Sequence, residues 1–479
     1  MKKLSISCIW IWVSFLFLGI VTTSVWAQEY RFEFKEIVNQ KAFFDDPRPI
    51  LENFGYKKIL PPGVYSKLTY DIETMKNVWA GCVGFKAPDV VGKIAPEIIP
   101  GTYTFKDKEK YPGLKELMYP DLYQRFRPGA PPHAGNFSEF KIVPTRQYYW
   151  ALPIGEATKK YVGQSKLDPQ GYLIQKTYVA GYPFPKPSGQ FKAQEIMFNW
   201  AHNYINGENA HGILEMKGIT KNLNIDFDAY IDMYWLRLYG RVLMEPYGWY
   251  DERARANMEK RAWGFVYNSP RDMSGNIITT LTYLDQNKFD QMLMYINVLR
   301  RVRKLSATDT QDAVGGQDCI YTDSAGFDQQ LSPVNYPYKF ELIAEREYLV
   351  QAPQTKGEQY IKSKTFEIGN LELERRPLYV IKLTALDKNY VYGHRILYID
   401  RETFMLYFVE NYNQKGKLYR TSDNFLSFIP EMGRYYSLGV FYRDHVDLHS
   451  SIARHFWYPA PWVGRDETGM QSLATKTKK

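Results

Sequence analysis

Apolar and polar residues alternate along most of the chain beyond about Asp228. Over 338–348, tyrosine, phenylalanine, leucine and alanine alternate with lysine and glutamate, which is the pattern of a strand with one buried and one solvated face. Similar segments, separated by turn residues, are Trp235–Glu245, Ala262–Tyr267, Ile277–Leu284, Met292–Arg303, Pro377–Ala385, Tyr390–Asp400, Phe404–Asn411 and Tyr435–Leu448. Asp400–Thr403 and Asn413–Gly416 lie between consecutive strands and predict hairpin turns. The pattern therefore predicts a mainly β fold of the α+β class, built on a large antiparallel sheet.

Some of these strands are apolar on both faces. Every residue from Phe404 to Val409 is apolar or aromatic, and a sheet open to water on one side would not tolerate this. Both sides of the sheet must therefore be covered. A large curved sheet wrapped around one or more helices, with another part of the chain across its outside, satisfies that requirement and can enclose an apolar cavity.

The first part of the chain lacks a long periodic pattern. Prolines and glycines interrupt residues 28–187, which predicts a loop-rich, proline-rich N-terminal region packed on the sheet rather than a core of its own. Pro183–Gly189 is a plausible boundary, and the apolar spacing in Ala193–Ile205 predicts a helix packed on the sheet. We expect a sheet domain over 188–463 and a flexible basic tail over 464–479.

The N-terminus has the three parts of an export signal. A lysine pair precedes the apolar run Leu4–Val21, and Val25–Ala27 has the small residues of a cleavage site. Residues 1–27 are therefore predicted to be a signal peptide that directs export. Because the apolar run nearly reaches the roughly 20 residues of a spanning helix, an uncleaved anchor is the alternative, and Val25 with Ala27 favours cleavage.

The charge balance is modestly basic, with a formal net charge of +9 over 479 residues. Together with the export signal, this argues against a nucleic-acid partner and favours attraction to an anionic membrane surface or lipid headgroup. Arg300, Arg301, Arg303 and Lys304 form a basic strand end. They could steer the chain to acidic lipid or to an exporting partner, or they could form a solvated edge that prevents strand-to-strand aggregation.

Two cysteines, Cys82 and Cys319, follow the predicted signal. Neither has the spacing of a metal site. In an oxidising compartment they could form one long-range disulfide, and two buried free thiols are the equal alternative.

A series of short motifs occurs in order over 269–323: Ser269–Gly275, Leu281–Tyr283, Met294–Ile296, Arg300–Arg303, Gly316–Asp318, Tyr321 and Asp323. This series resembles the outer-membrane lipoprotein-sorting proteins related to LolA and LolB. Leu397–Thr403, followed by Asn413–Leu418, is similar to their later hairpins. The length of the chain and the upstream pieces Lys93–Ile98 and Pro183–Pro185 are similar to a larger branch, the domain of unknown function 1329 family.

The resemblance implies a half-open β-barrel, with helices on its concave side, in the periplasm of a Gram-negative bacterium. Proteins of this kind hold acyl chains in the concavity. We therefore expect a non-enzymatic carrier or chaperone for lipid or lipoprotein cargo, with an envelope transporter or outer-membrane protein as a partner. The candidate ligand-binding residues are the apolar residues that share strand faces, each with ordinary core as its alternative role: Leu238, Val242, Phe340, Leu342, Tyr379, Ile381, Leu383, Leu406, Phe408, Leu438 and Val440.

Enzyme motifs do not appear in a suitable context. The sequence has no G-x-S-x-G, Walker-type, H-E-x-x-H or dinucleotide-binding glycine motif in a suitable structural context. We therefore predict no catalytic residue, cofactor or metal. His445, Asp447 and His449 have the residue types of an iron or zinc site and the spacing of one strand face, although a solvated face explains them as well. The alternative functions are therefore a structural or docking subunit of an envelope export system and a metal-dependent enzyme.

Overall fold

The structure, a computed structural model, describes residues 43–45, 55–129, 133–306, 311–314, 317–354 and 359–476. The predicted signal peptide, 1–27, lies outside these residues. The strands of the described part are β1 (Gly101–Thr104), β2 (Glu139–Val143), β3 (Asn209–Ile219), β4 (Ile225–Arg237), β5 (Tyr239–Arg241), β6 (Gly248–Trp249), β7 (Glu259–Ser269), β8 (Ile277–Tyr283), β9 (Gln291–Ile296), β10 (Arg301–Leu305), β11 (Tyr338–Gln351), β12 (Tyr360–Ile361), β13 (Ile368–Gly369), β14 (Glu372–Ala385), β15 (His394–Asp400), β16 (Leu406–Tyr412), β17 (Leu418–Ile429), β18 (Arg434–Asp444) and β19 (His449–Pro459).

One sheet dominates the molecule. Its strand order is β1-β2-β14-β15-β16-β17-β18-β19-β3-β4-β7-β8-β9-β10, and β11 also pairs with β14. In the described residues, the pair of β2 and β14 is parallel and the other strand pairs of this sheet are antiparallel. Because β1 and β10 end the order without pairing, the sheet is open rather than a closed barrel. The predicted mainly β fold is confirmed, with one parallel pair added.

The helices are short and lie mostly before β3 and after β19. In the described part they are α1 (Tyr56–Ile59), α2 (Pro62–Lys67), α3 (Ile72–Val83), α4 (Ala87–Val90), α5 (Gly113–Leu117), α6 (Pro120–Arg125), α7 (Leu152–Tyr161), α8 (Lys192–Ala201), α9 (Glu252–Asn257), α10 (Arg465–Thr468) and α11 (Met470–Lys476). Among the described residues, none of these helices combines the length and the apolar character that crossing a bilayer requires.

Both predicted hairpin turns are present, and polar side chains fix them. The Asp400 carboxylate accepts hydrogen bonds from the backbone N–H groups of Glu402 and Thr403, each at 2.8 Å. In the next hairpin, the Asn413 side chain accepts from Lys415 N–H at 3.0 Å and from Lys417 N–H at 3.1 Å. Such side-chain bonds to the following backbone are why Asp and Asn favour turns.

The two-faced apolar strands are covered on both sides. Phe408 of β16 stacks on Tyr119, just before α6, with ring centroids 4.2 Å apart. Its neighbour Val409, which points to the opposite face, lies beside Gly326. The N-terminal region therefore covers one face, and residues 317–331, here called the covering segment, lie on the other. One large core joins buried residues from both halves of the chain.

Several segments differ from the sequence prediction. Trp235–Glu245 is not one strand, because β4 ends at Arg237 and β5 covers only Tyr239–Arg241, so Leu238 and Val242 share no strand face. Met292–Arg303 is not one strand but the hairpin of β9 and β10, which turns at Arg300 with φ of +50°. Its basic residues lie exposed on β10, the end strand of the sheet. The predicted flexible tail, 464–479, is helical over α10 and α11, because Met470 and Leu473 are buried against Ile277 and Tyr295; residues 477–479 lie outside the described part.

Candidate ligand cavity

A cavity of about 190 Å³ lies between the sheet and the elements that cover it. Its sheet wall comes from one face of β18, β19, β3, β4 and β7, and the side chains there are mostly apolar or aromatic: Leu214, Met216, Ile231, Met233, Trp263, Phe265, Tyr267, Val440, Tyr442, Ala453 and Trp457. On the other side lie Phe198 and Trp200 of α8 and, from the covering segment, Cys319, Tyr321 and Phe327. An apolar wall with a few polar groups is typical of a small-molecule site.

Hydrogen bonds hold the covering segment in place. The Trp200 indole donates to Phe327 O at 2.8 Å, and the Asn424 side-chain amide donates to Ala325 O at 2.8 Å. Gly326 has φ of +88°, and a Cβ there would lie 3.0 Å from Asn424 Nδ2. Glycine is therefore required both for the backbone conformation and for the close approach to β17.

A histidine bridges the start of the covering segment and the sheet. His449 Nδ1 lies 2.6 Å from the Asp318 carboxylate, and His449 Nε2 lies 3.1 Å from Asp226. Asp318 also accepts from Ser451 Oγ at 2.6 Å. The hydrogen bond to Asp318 raises the pKa of His449 to about 9, with Asp226 adding to the shift. The imidazolium therefore links the covering segment to β19 at neutral pH.

This link predicts a pH-dependent stability. A raised histidine pKa contributes stability that is complete below about pH 6.5 and is lost as pH rises through about 9. Because the Asp226 side chain is 49% exposed, solvent screening reduces the contribution to about 1–2 kcal/mol.

We expect His449→Gln to lower the urea midpoint at pH 7 and to match the wild type more closely at pH 10. As a control, His394→Gln should give the same difference at both pH values, because burial lowers the pKa of His394 and no carboxylate adjoins it in the described structure. An unchanged His449→Gln difference across this range would contradict the assignment.

Charged side chains concentrate at one part of the cavity wall. Lys260 of β7 donates to Ala201 O at 2.8 Å, and burial, helped by Arg261 and Arg237, lowers its pKa to about 7. The carboxylate of Asp290 accepts from Gln330 Nε2 at 2.7 Å, and burial raises its pKa to about 7. The cavity is thus apolar over most of its wall and polar at one end.

The structure places the candidate residues mostly outside this cavity. Val440 lines it, whereas Leu238 packs in a small separate cluster and Leu438 is half-buried. The remaining candidates lie in or against the large core that the N-terminal region shares with the sheet: Val242, Phe340, Leu342, Tyr379, Ile381, Leu383, Leu406 and Phe408. Ligand binding by any of the eleven stays a prediction.

Register shifts break two of the expected faces. Phe425 pairs with Gly439 and Leu426 with Ser437, so Leu438 is an extra residue in β18 and does not alternate regularly with Val440. Tyr398 pairs with Phe408, but the next residue, Ile399, pairs with Leu406, so Tyr407 is an extra residue in β16. An extra residue reverses the alternation of side chains. Leu406 and Phe408 therefore point to opposite faces, and the expectation that they share one face is wrong.

The tryptophans of the cavity wall were not among the candidates. Trp263, Phe265 and Tyr267 are spaced by two in a segment that was correctly predicted as a strand, and all three line the cavity. This aromatic alternation was the sequence signal that could have located the wall. Trp457 on β19 and Trp200 on α8 reach the same space only through the tertiary fold.

Cys82 and Cys319 are both buried free thiols and do not form a disulfide. Cys82 lies on α3, with its sulfur 3.5 Å from Gly155 O, whereas Cys319 lines the cavity. Burial raises the pKa of each thiol, which keeps both thiols protonated and unreactive.

The strand face proposed for a metal does not exist. β18 ends at Asp444 and β19 begins at His449, so His445 and Asp447 lie in the turn between them. His445 Nε2 lies 3.1 Å from Thr421 Oγ1, while His449 bonds to Asp318 and Asp226. In the part of the chain that the structure describes, no group of three or more His, Cys, Asp or Glu side chains is arranged to hold a metal ion.

Comparison with solved structures gives distant neighbours. A protein domain from Vibrio parahaemolyticus named for outer membrane lipoprotein sorting is 15% identical, with a TM-score of 0.39 over 55% of this chain and 91% of its own. A DUF1329 family protein from Desulfovibrio piger is 12% identical, with a TM-score of 0.40 over 56% of this chain and 91% of its own. A LolA superfamily protein from Nitrosomonas europaea is 12% identical, with a TM-score of 0.34 over 55% of this chain and 91% of its own.

A family match over much of the sequence is more informative than these neighbours. None of the curated proteins compared with the chain matches it. The family model described as "Protein of unknown function (DUF1329)" matches residues 135–456, a range that contains every strand from β2 to β18 and the whole cavity wall of β3, β4 and β7. Because the match covers more than half of the sequence, the chain belongs to the DUF1329 family.

Proposed function

We propose that this protein is a non-enzymatic periplasmic carrier or chaperone that binds a hydrophobic ligand in the cavity under the covering segment. The observation that carries the proposal is the apolar and aromatic wall around about 190 Å³ of unfilled space. Concave sites with mostly apolar and aromatic walls are where proteins usually bind small molecules. This one is lined by four tryptophans, Trp200, Trp235, Trp263 and Trp457, which supports a hydrophobic ligand.

Apolar burial supplies the binding energy. Each methylene removed from water contributes about 0.8 kcal/mol, so a chain of several methylenes is held without any covalent chemistry. A cavity of roughly 150 Å³ accepts one benzene ring, so the present cavity accommodates one ring or a short length of one acyl chain. A bulkier cargo, such as the lipid of a lipoprotein, requires the covering segment to move.

Delivery requires partners in the envelope. Tight burial gives no direction to transport, so an envelope transporter or an outer-membrane protein would load or release the cargo. The predicted signal peptide supports the periplasmic location, and the basic net charge of +9 supports contact with an anionic membrane surface.

Filling the cavity tests the proposal. Leu214 and Ala453 lie on neighbouring strands of its wall and are buried, so Leu214→Phe combined with Ala453→Leu places new carbon atoms in the space. We expect mass spectrometry of solvent extracts to show an apolar molecule bound to the wild-type protein, with at least fivefold less bound to the double variant.

The matched control adds the same kind of bulk outside the cavity. Ala256 on α9 is exposed, so Ala256→Leu should retain the wild-type amount of ligand. A wild-type extract no richer than that of an unrelated protein of similar charge would overturn the carrier proposal. It would favour a structural or docking subunit instead. Far-ultraviolet circular dichroism confirms that each variant is folded before extraction.

A further inference from the structure

We propose that the charged end of the cavity recognises a carboxylate, so that the ligand is a single-chain amphiphile with an acidic head. This inference rests on the proposed function and specifies its ligand class. The apolar wall would hold the chain, and Lys260 would pair with the head. The supporting observations are the unpaired charge of Lys260, the unfilled hydrogen-bond donors nearby and the size of the cavity.

Lys260 is a cation without an ionic partner. Within the described residues its ammonium group has a backbone acceptor, Ala201 O at 2.8 Å, and no carboxylate lies within ion-pairing distance. The neighbouring Asp328 is already engaged, because its two carboxylate oxygens accept from Arg261 Nη2 at 2.8 and 2.7 Å. A charge that is partly removed from water without a counter-ion is costly. An anionic ligand head would supply that counter-ion.

Unfilled donors belong to side chains that line the same space, and their nitrogen atoms are themselves buried. Arg261 lines the cavity with its guanidinium 4.5 Å from the Trp235 ring, and Arg261 Nε has no partner. The indole nitrogens of Trp235 and Trp263, both from the wall, are also buried without a partner. The amide oxygens of Gln175 and Gln330 and His202 Nε2 are unfilled acceptors, but they carry no charge. The cation of Lys260 therefore decides the preference and favours an anionic group rich in acceptors, which a carboxylate is.

The volume limits the rest of the ligand. About 190 Å³ is only slightly larger than a cavity of roughly 150 Å³ that accepts one benzene ring, so it is too small for two acyl chains. A single medium-length chain, partly enclosed with its head at Lys260, satisfies both the size and the charge of the site.

The charged groups around Lys260 make recognition depend on pH. They are Arg261 on the same strand, Arg237 on β4, His202 after α8, Asp290 before β9 and Asp328 in the covering segment. Burial lowers the pKa of Lys260 to about 7 and raises the pKa of Asp290 to about 7, and burial keeps His202 neutral by lowering its pKa. As pH rises through 7, Lys260 loses its charge and Asp290 gains one. Both changes weaken the binding of an anion.

Titration with two matched ligands tests the inference. Decanoate and 1-decanol share a ten-carbon chain and differ in the head, and the cavity tryptophans report binding through fluorescence. At pH 6.5 we expect decanoate to bind at least tenfold more tightly than decanol. Lys260→Met should weaken decanoate about tenfold and change decanol less than twofold. Raising the pH to 8.5 should weaken decanoate about tenfold in the wild type and much less in the variant.

A control and a second readout keep the result interpretable. Lys304 is exposed on β10, outside the cavity, so Lys304→Met should bind both ligands as the wild type does. If Lys260→Met does not fold, the pH dependence of wild-type binding decides the question alone. Equal binding of decanoate and decanol at both pH values would overturn carboxylate recognition and leave the carrier function standing. Failure of both ligands to bind would overturn the single-chain acidic ligand, whereas the extraction experiment decides the carrier function separately.

Discussion

Replacing Arg376 by methionine is expected to lower the free energy of unfolding by about 3–5 kcal/mol, because it leaves buried carboxylates without their counter-ion. Arg376 Nε donates to Asp400 at 2.7 Å and Arg376 Nη2 donates to Glu402 at 2.7 Å. Glu374 lies 3.4 Å from Arg376 Nη1. All four side chains are 0–1% exposed, so water cannot replace the lost cation.

The same group of charges attaches the N-terminal region to the sheet. Glu402 accepts from the backbone N–H of Ala87 at 2.8 Å and of Tyr148 at 2.9 Å, while the Trp79 indole donates to Glu402 O at 2.8 Å. Losing Arg376 should therefore loosen the N-terminal region as well as the hairpin that contains Glu402. Trypsin should cleave within 55–205 faster in the variant than in the wild type.

Urea unfolding followed by tryptophan fluorescence measures the effect of Arg376→Met. Arg376→Lys keeps the charge but loses the two-pronged geometry, so its midpoint should lie between those of the wild type and Arg376→Met. Arg401 is on the same hairpin, and its Nη2 forms a partly exposed ion pair with Glu345 Oε1 at 2.9 Å. Arg401→Met removes this pair and should lower the free energy of unfolding by about 1 kcal/mol or less. Equal midpoints for Arg376→Met and Arg401→Met would show that the buried network contributes little.

The sheet was predictable because its main signal is local. Side-chain alternation depends only on the two-residue period of a strand, and the turns at Asp400 and Asn413 depend on side chains that bond to the adjacent backbone. The apolar run Phe404–Val409 also required cover on both faces, and the structure supplies it with Tyr119 on one side and Gly326 on the other. These inferences used no long-range information.

The position of the cavity depends on contacts that are distant in sequence. Tyr379, Ile381 and Leu383 have the alternation of a ligand wall, but they are buried in the large core, and Lys192 of α8 lies over the Tyr379 ring at 5.4 Å. The unfilled space lies instead over β7 and β19, where Trp263 and Trp457 line it. Which face is filled is decided by where residues 55–205 pack, and a strand pattern carries no such information.

The register shift at Tyr407 could not be predicted from the sequence either, because strand pairing also depends on tertiary contacts. Sequence alternation assumes that every residue of β16 pairs in turn, and one extra residue reverses the faces beyond it. A proline, glycine or Asn-Gly pair would have suggested an irregularity, but Leu406, Tyr407 and Phe408 are all good strand formers. The tertiary environment therefore selects the shift.

Replacing Asp323 by asparagine is expected to lower the free energy of unfolding by about 3 kcal/mol and to free the covering segment. The Asp323 carboxylate accepts from Tyr392 OH at 2.6 Å and from Ile320 N–H at 3.0 Å. Arg395 Nη1 lies 3.0 Å from its other oxygen, close enough for an ion pair although the groups are not aligned for a hydrogen bond. Arg395 is fully buried, so the variant leaves an uncompensated cation inside the protein.

Hydrogen exchange distinguishes this effect from general destabilisation. Amides of 317–331 should exchange at least tenfold faster in Asp323→Asn, while those of β14 and β15 change in proportion to the loss of global stability, because a locally held segment opens before the whole molecule does. The control is Asp328→Asn in the same segment, whose ion pair with Arg261 is partly exposed at 19% and 28% and should cost about 1 kcal/mol. Since the covering segment forms one wall of the cavity, faster opening should also speed the release of the proposed hydrophobic ligand. Unchanged exchange over 317–331 in Asp323→Asn would show that the other contacts of the segment, such as that of Trp200 with Phe327, suffice to hold it.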